Sequence, residues 1–300
     1  TLLSTEAISK QRIRTFNQKE TDLLIYPYMA ETTSQHSNPI DPKFESGPPD
    51  VFGHPRGLFY LFFAELWERF SFYGMRALLV LYMVDQVFAA LSNSDTVAAI
   101  VYSSYGSLVY ASPVIGGRIA DKLIGYRRSI MLGGVLMAIG HFVLAIENNI
   151  AFFVALSFII VGNGFFKPNI STFVGALYPE GDRRKDSGFT IFYMGINIGA
   201  FISPLLCGWL GEVYGWAYGF GAAGVGMVLG LLLFLWGQPF LEGHGDAPDH
   251  TLLKKRTGPL STEHWVYASG LLGVVIVWQL IQFTAVVGTL LNVTAVAVMA

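Results

Sequence analysis

The sequence predicts an all-α integral membrane protein, and three observations carry that prediction. Of its 300 residues 53% are hydrophobic and only 13% are charged, with a mean hydropathy of +0.49; a soluble domain usually carries about 25% charged residues. Six apolar runs, at about 57–83, 97–119, 129–146, 150–176, 187–209 and 216–238, are long enough to cross a bilayer as helices. Lysine and arginine are confined to alternate connections between those runs. The net charge of −2 gives no reason to expect a nucleic-acid partner.

Taken in order, residues 1–56 are polar and rich in Ser, Thr, Pro and Gln. They contain no apolar core of a cleavable signal peptide, and they read as a disordered cytoplasmic tail. Met29 is a candidate start, which would make Thr1–Tyr28 upstream sequence. The six-span bundle covers 57–238. The connection after span two holds Asp121, Lys122, Arg127 and Arg128; the one after span four holds Asp182, Arg183, Arg184, Lys185 and Asp186; Lys254, Lys255 and Arg256 follow span six. The intervening stretches 85–96, 147–149 and 211–215 have no Lys or Arg. The positive-inside rule therefore puts the basic connections and the N-terminus in the cytoplasm. A polar cytoplasmic linker follows at 239–261, and then two further apolar segments, 262–283 and 285–300. The second reaches Ala300 without a cap or flanking charge, so the chain reads as the N-terminal portion of a longer protein. The single cysteine, Cys207, lies in an apolar run, allows no internal disulfide and reads as packing.

Span one breaks the pattern. It reads GLFYLFFAELWERFSFYGMRALLVLYM and contains Glu65, Glu68, Arg69 and Arg76. Each such charge at mid-membrane costs about 2.5–3.5 kcal/mol on insertion scales. On a helix turning about 100° per residue, Glu65, Glu68, Arg69, Phe72, Tyr73 and Arg76 share an arc of roughly 140°. Intramembrane charges gathered on one side point to a polar, functional cavity. Glu65 and Arg69, at i,i+4, can neutralise each other. Glu68 has no obvious local cation, so its partner is expected on another helix. Lys167 in span four, within Gly162-Asn163-Gly164-Phe165-Phe166-Lys167-Pro168-Asn169, is the natural counter-ion. It lies too far from the end of its span to snorkel easily. Pro168 frees a backbone carbonyl.

Two other stretches stand out. After span two, the run from Gly116 to Arg128 combines small residues that let helices approach, Gly117 among them, with charges, Asp121, Arg127 and Arg128, that suit a cytoplasmic gate. In span five, Tyr193 and Asn197 are i,i+4 and can hydrogen-bond peptide-like groups. His141 in span three reads as a satisfied core histidine. There is no His/Glu metal spacing, nucleophile elbow or P-loop lysine motif, so no metal, cofactor or enzymatic activity is expected.

The first-span run Glu65-x-x-Glu68-Arg69-Phe-x-Phe-Tyr73-Gly74, together with Phe166-Lys167-Pro168-Asn169 through Asn197, resembles the signatures of the proton-dependent oligopeptide transporters, a branch of the major facilitator superfamily. The likeness covers roughly 57–240. It implies the N-terminal six-helix bundle of a major facilitator fold, followed by a linker and an extra helical hairpin, with the C-terminal bundle absent. It also implies that Glu65, Glu68, Arg69 and Lys167 form a proton-coupling network, and that Tyr73, Arg76, Tyr110, Tyr193 and Asn197 line a substrate site. Arg76 and Lys167 suit a peptide's C-terminal carboxylate. Two departures are visible. Phe72 stands where the signature more often has Tyr, and Ser103 stands where some relatives carry histidine, which leaves proton handling to carboxylates.

The function so implied is inward symport of di- and tripeptides with protons across a bacterial inner membrane, the partners being peptide, protons, the lipid bilayer and the missing C-terminal half. Proton-coupled transport of nitrate or another small solute on the same fold is the alternative, and a non-transporting membrane receptor is a third reading.

Overall fold

The computed structural model describes residues 50–241 and 243–282. The expected disordered tail, apart from its last residues, and the segment 285–300 lie outside those residues. Within them the chain is almost entirely helical. The long helices are α1 (Arg56–Tyr82), α2 (Ser94–Ile119), α3 (Gly125–Leu144), α4 (Asn149–Ala176), α5 (Arg184–Tyr214) and α6 (Trp216–Trp236). A short helix α7 (His250–Lys254) and a two-residue antiparallel hairpin, β1 (Arg256–Thr257) with β2 (Leu260–Ser261), lead into α8 (Thr262–Gln282). The protein is thus a multi-pass membrane protein; among the described residues five helical stretches are long and apolar enough to cross a bilayer.

Helix boundaries follow local chemistry. Pro55 precedes α1, where its missing N–H costs nothing. Asn148 caps α4 by accepting from the amides of Ile150 and Ala151 at 2.9 and 3.3 Å. α2 runs through a wide π-type turn, Ala120–Ile124, to Gly125, whose φ of +74° turns the chain into α3.

Packing sets helices in two groups. α1 lies against α5 and α6, while α4 lies against α2, α3 and α8. Close approach in the second group depends on missing side chains. A methyl group on Gly133 would come 2.5 Å from the carbonyl oxygen of Gly162, and one on Gly162 would come 2.6 Å from that of Gly133. On the other side of α4, Gly116 sits directly on the carbonyl of Gly164. That carbonyl is the one Pro168 leaves without its i+4 donor. The backbone of α2 covers it, which accounts for how a membrane helix tolerates the proline. At the next residue, the Ser129 hydroxyl donates to the Phe165 carbonyl at 3.0 Å, and the Asn169 amide donates to the same carbonyl at 2.7 Å and to Ser129 at 2.8 Å.

The apolar core is in two parts. Leu58, Leu61, Ile130, Phe166, Phe173 and Phe234 fill the end near the basic connections. Met75, Leu79, Tyr82, Phe152, Ile159 and Phe220 fill the other. Glu65, Glu68 and Arg69 of α1 lie between them in sequence.

The connections at the basic end are pinned by arginines. Arg127 donates to Gln238 at 2.7 Å and to Asp246 at 3.3 Å, and Arg128 pairs with Glu263 at 3.1 Å. Arg184 donates to both Asp182 oxygens, to Asp50 at 2.7 Å and to the Gly53 carbonyl at 3.1 Å, while His54 shares a 2.8 Å bond with Tyr178. The bonds from Arg184 hold the Asp182 carboxyl below the usual aspartate range. The linker therefore carries more structure than a polar loop: a short helix, a hairpin and ionic ties to α3.

Candidate functional site

The site grows from three helices. α1 turns Glu65, Glu68 and Arg69 inward, and the carboxylates are completely buried, with Arg69 5% exposed. Arg69 donates through Nε and a terminal nitrogen to the two oxygens of Glu68, a bidentate pair. Its Nε also stands 3.3 Å from Glu65 Oε1. α4 supplies Lys167, whose Nζ donates to the same Oε1 at 2.7 Å. Two carboxylates thus meet two cations, and the set is formally neutral. Such balance is what a low-dielectric interior requires of buried charge.

This pairing differs from the sequence reading. Glu68 takes its cation from the next residue, not from α4, and Lys167 goes to Glu65. Neighbouring positions on a helix do not face each other, but the long Arg69 side chain folds back between the carboxylates and reaches both. α1 and α4 touch along only a short stretch, so the Lys167–Glu65 bond is a main link between them. Lys167 remains 31% exposed on an open face, and the second oxygen of Glu65 has no hydrogen-bond partner among the described residues.

Farther along α1, the guanidinium of Arg69 lies over the rings of Phe72 and Tyr73, 5.1 and 5.8 Å from their centroids. Arg76 donates to the Tyr102 hydroxyl of α2 and sits 5.2 Å over its ring. Tyr110, on the same helix as Tyr102, is 75% exposed. Tyr102 is a site residue that sequence reasoning missed. Its signal was its place beside Ser103 and two turns before Tyr110, which the family resemblance put in the same substrate site as Arg76.

The other expected site residues lie apart. Tyr193 and Asn197 are exposed on α5, and among the described residues neither is hydrogen bonded; Tyr193 packs beside Phe189 and Phe192. Their helix is brought to α1 by Gly195 and Gly199, where any side chain would strike Phe62, Leu66 or Arg69. Gly117 faces Pro168, where an added methyl group would lie 3.5 Å from the nearest carbon, an ordinary van der Waals contact. Asp121 forms no ion pair with Arg127 or Arg128 among the described residues. Those arginines hold the linker and α8 instead. His141 is fully buried, but both ring nitrogens lack partners among the described residues, so it is a core histidine without the satisfaction expected of one. Cys207 is buried against Gly74, in keeping with a packing role.

Residues 127–256 match the family model described as PTR2, POT family. That stretch is similar to the POT family. Across 185 residues the chain is 51% identical to the "Uncharacterized transporter YclF" of Bacillus subtilis (strain 168), covering 61% of this chain and 38% of that protein. It is 46% identical over 193 residues to a "Di-/tripeptide transporter" of Lactococcus lactis subsp. lactis (strain IL1403), covering 62% of this chain and 38% of the relative. Among solved structures it superposes on a peptide transporter POT crystallised with sulfate, with a TM-score of 0.66 and 43% identity, over 79% of this chain and 48% of that one. The chain therefore has the major facilitator architecture of a POT transporter over part of its length, and spans less than half of these relatives.

Proposed function

We propose that this chain forms the proton-coupling half of a di- and tripeptide symporter, and that it is not an enzyme. The observation that carries the reading is the sharing of Lys167: its ammonium is held by the buried Glu65 yet the side chain remains partly exposed. A peptide's C-terminal carboxylate and the Glu65 carboxylate compete for that one cation. When Glu65 takes a proton, its attraction for Lys167 falls, and the ammonium becomes free to bind the peptide anion. Protonation and anion binding then favour each other, as linkage requires. The Lys167 bond also ties α1 to α4, so its release biases the packing of the two helix groups, a two-state element the proton gradient can drive. Glu68 and Arg69, as a tight pair, hold Glu65 in place and stand next in line for the proton.

The peptide transporters among the relatives support peptide as the cargo. Coverage of less than half of them supports a second bundle, in a longer polypeptide, closing the site opposite Tyr73, Tyr193 and Asn197. In this reading residues 57–238 are one bundle, 239–261 its cytoplasmic linker and 262–300 further membrane helices. The basic connections and the N-terminus face the cytoplasm of a bacterial inner membrane, where Gly117, Asp121, Arg127 and Arg128 border the gate.

The test is uptake of labelled dialanine into liposomes by the protein that carries this chain, with and without an inside-alkaline gradient. Accumulation with the gradient, and its loss in Glu68→Gln, is expected. Gradient-driven uptake that survives Glu68→Gln, or uptake displaced by nitrate and not by peptides, would overturn the reading.

A further inference from the structure

α8 does not close onto the bundle along its whole width. It lies against α4 and more briefly against α2, and the three helices border a cavity of about 470 Å³. Ala111, Ile115 and Ile119 of α2, Val161 of α4, and Gly273 and Ile276 of α8 are among its walls. The glycines of α8 differ from those that join α3 to α4. A methyl group on Gly270 would lie 3.6 Å from Phe165, and one on Gly273 would lie 3.7 Å from Val161, both ordinary contacts. Their missing side chains leave space; no backbone contact requires them. The two hydroxyls in the wall are already engaged: Ser112 donates to the Ile160 carbonyl at 2.9 Å, and Ser269 to that of Val266 at 2.7 Å. An apolar cavity lined in this way stays dry and takes hydrocarbon. Its rim is open, with Ile115, Leu272 and Ile276 all exposed. Along α2 it extends from Leu108 to Ile119, about 16 Å of helix. That is half of a hydrocarbon core of about 30 Å, the depth of one leaflet.

One end of the cavity is basic. There Ile119 packs in a small cluster with Leu123, Ile124, Leu253 and Val266. Ile119, Leu123 and Leu253 each have a cation as chain neighbour: Arg118, Lys122 and Lys254. All three cations are exposed, and among the described residues none is in an ion pair, unlike Arg127 and Arg128. The carboxylates nearby are mostly engaged. Asp246 and Glu263 hold those two arginines, and Asp249 caps α7 by accepting from the amides of Thr251 and Leu252. Asp121 alone, among the described residues here, stands against three cations. Basic pockets between membrane helices suit anionic lipid headgroups. We infer that this cavity binds an acyl chain of a phospholipid with an anionic headgroup, whose phosphate is held by Arg118, Lys122 and Lys254. A second groove supplies the contrast. Val135, Phe142 and Leu231 line it between α3 and α6, toward the connection 147–149 that has no Lys or Arg. It offers hydrocarbon without charge and accepts lipid whatever the headgroup. The inference needs the membrane setting and is independent of the peptide reading.

Two measurements on the protein that carries this chain decide the matter. In the first, phosphatidylglycerol with a photoreactive acyl chain is activated in nanodiscs of phosphatidylcholine, and its adducts are mapped by peptide mass spectrometry. Adducts are expected on 108–119 and 269–280, suppressed by unlabelled phosphatidylglycerol and not by added phosphatidylcholine, while adducts on 135–146 are suppressed by both alike. Adducts spread evenly over the exposed helices, or suppressed alike by both lipids at 108–119 and 269–280, would overturn the inference. In the second, native mass spectrometry compares retention of the two lipids. Lys122→Gln with Lys254→Gln is expected to lower the preference for phosphatidylglycerol by about fivefold for each charge removed. Gly273→Leu, which fills the cavity, is expected to abolish the preferred retention. A preference unchanged by the first variant, or retention unchanged by the second, would overturn the inference. If Gly273→Leu does not fold, the adduct map of the unmodified protein decides. No substrate enters either measurement, so the symport reading can fail while the lipid site stands, and the reverse.

Discussion

Replacing Arg69 with methionine should be among the most damaging single changes in this membrane bundle. Methionine keeps an unbranched, apolar stem in place of the arginine's, so the main effect is loss of the charge. In the structure Arg69 makes two bonds to Glu68 and stands 3.3 Å from Glu65. At an effective dielectric constant of 20 the second contact alone corresponds to about 5 kcal/mol of Coulomb attraction. Desolvation of the guanidinium offsets part of that. What remains after the change is two fully buried carboxylates facing one cation, Lys167, or a net −1 where the balance was zero. Breaking a buried pair in this way costs about 3–5 kcal/mol. The double variant Glu68→Leu/Arg69→Met removes both members and leaves the neutral Glu65–Lys167 pair intact. It should regain most of the loss, since apolar replacement of a whole pair is often close to neutral. The assay is thermal and denaturant unfolding in nanodiscs at pH 7.5. A single variant as stable as the unmodified protein, or a double variant no better than the single, would refute the claim that these charges stand or fall as a balanced set.

Other expectations follow from particular contacts. Gly116→Val should destabilise by about 1–3 kcal/mol or more, because its side chain must displace the Gly164 carbonyl, whereas Gly117→Ala, whose methyl group would meet Pro168 at an ordinary 3.5 Å, should stay within about 0.5 kcal/mol; melting curves of the pair check this. His141→Leu should leave stability unchanged or raise it by about 1–3 kcal/mol, since two unbonded ring nitrogens leave the core; a lower melting temperature would show that the imidazole has a partner. The Asp182 carboxyl is held below its ordinary value of about 3.9 by Arg184. A depressed folded value stabilises above the unfolded value and loses its effect as pH falls through the folded one. The clip at 50–54 should therefore hold at neutral pH and loosen below about pH 4. Hydrogen exchange at the mutually bonded amides of Val51 and His54 reads it, and Arg184→Gln should loosen the clip at neutral pH as well.

The sequence made the helices plain because a bilayer imposes length and apolarity together. The expected span 150–176 lies inside Asn149–Ala176, and 262–283 all but coincides with Thr262–Gln282. The expected span 187–209 fell short of Arg184–Tyr214 by a turn at each end, where polar residues continue the helix outside the apolar run. The charged arc of α1 was equally legible, as was Lys167, since buried charge is conspicuous in an apolar run. Which carboxylate meets which cation was not legible. That depends on how α1 and α4 are rotated toward each other, and on Arg69 folding back to its neighbour, neither of which has a sequence period. Tyr102 escaped notice because tyrosines are ordinary in membrane helices until their hydroxyls are located. The attachment of Arg127 and Arg128 to Asp246 and Glu263 joins residues more than a hundred positions apart, with only opposite charge to announce it.

The most direct test of the shared lysine is the pH dependence of dialanine affinity in Glu65→Gln beside the unmodified protein. Competition for Lys167 requires that affinity in the unmodified protein rise as pH falls, and that Glu65→Gln bind dialanine tightly at every pH, its lysine already released. Affinity independent of pH in the unmodified protein, or the same pH dependence in both, would contradict it.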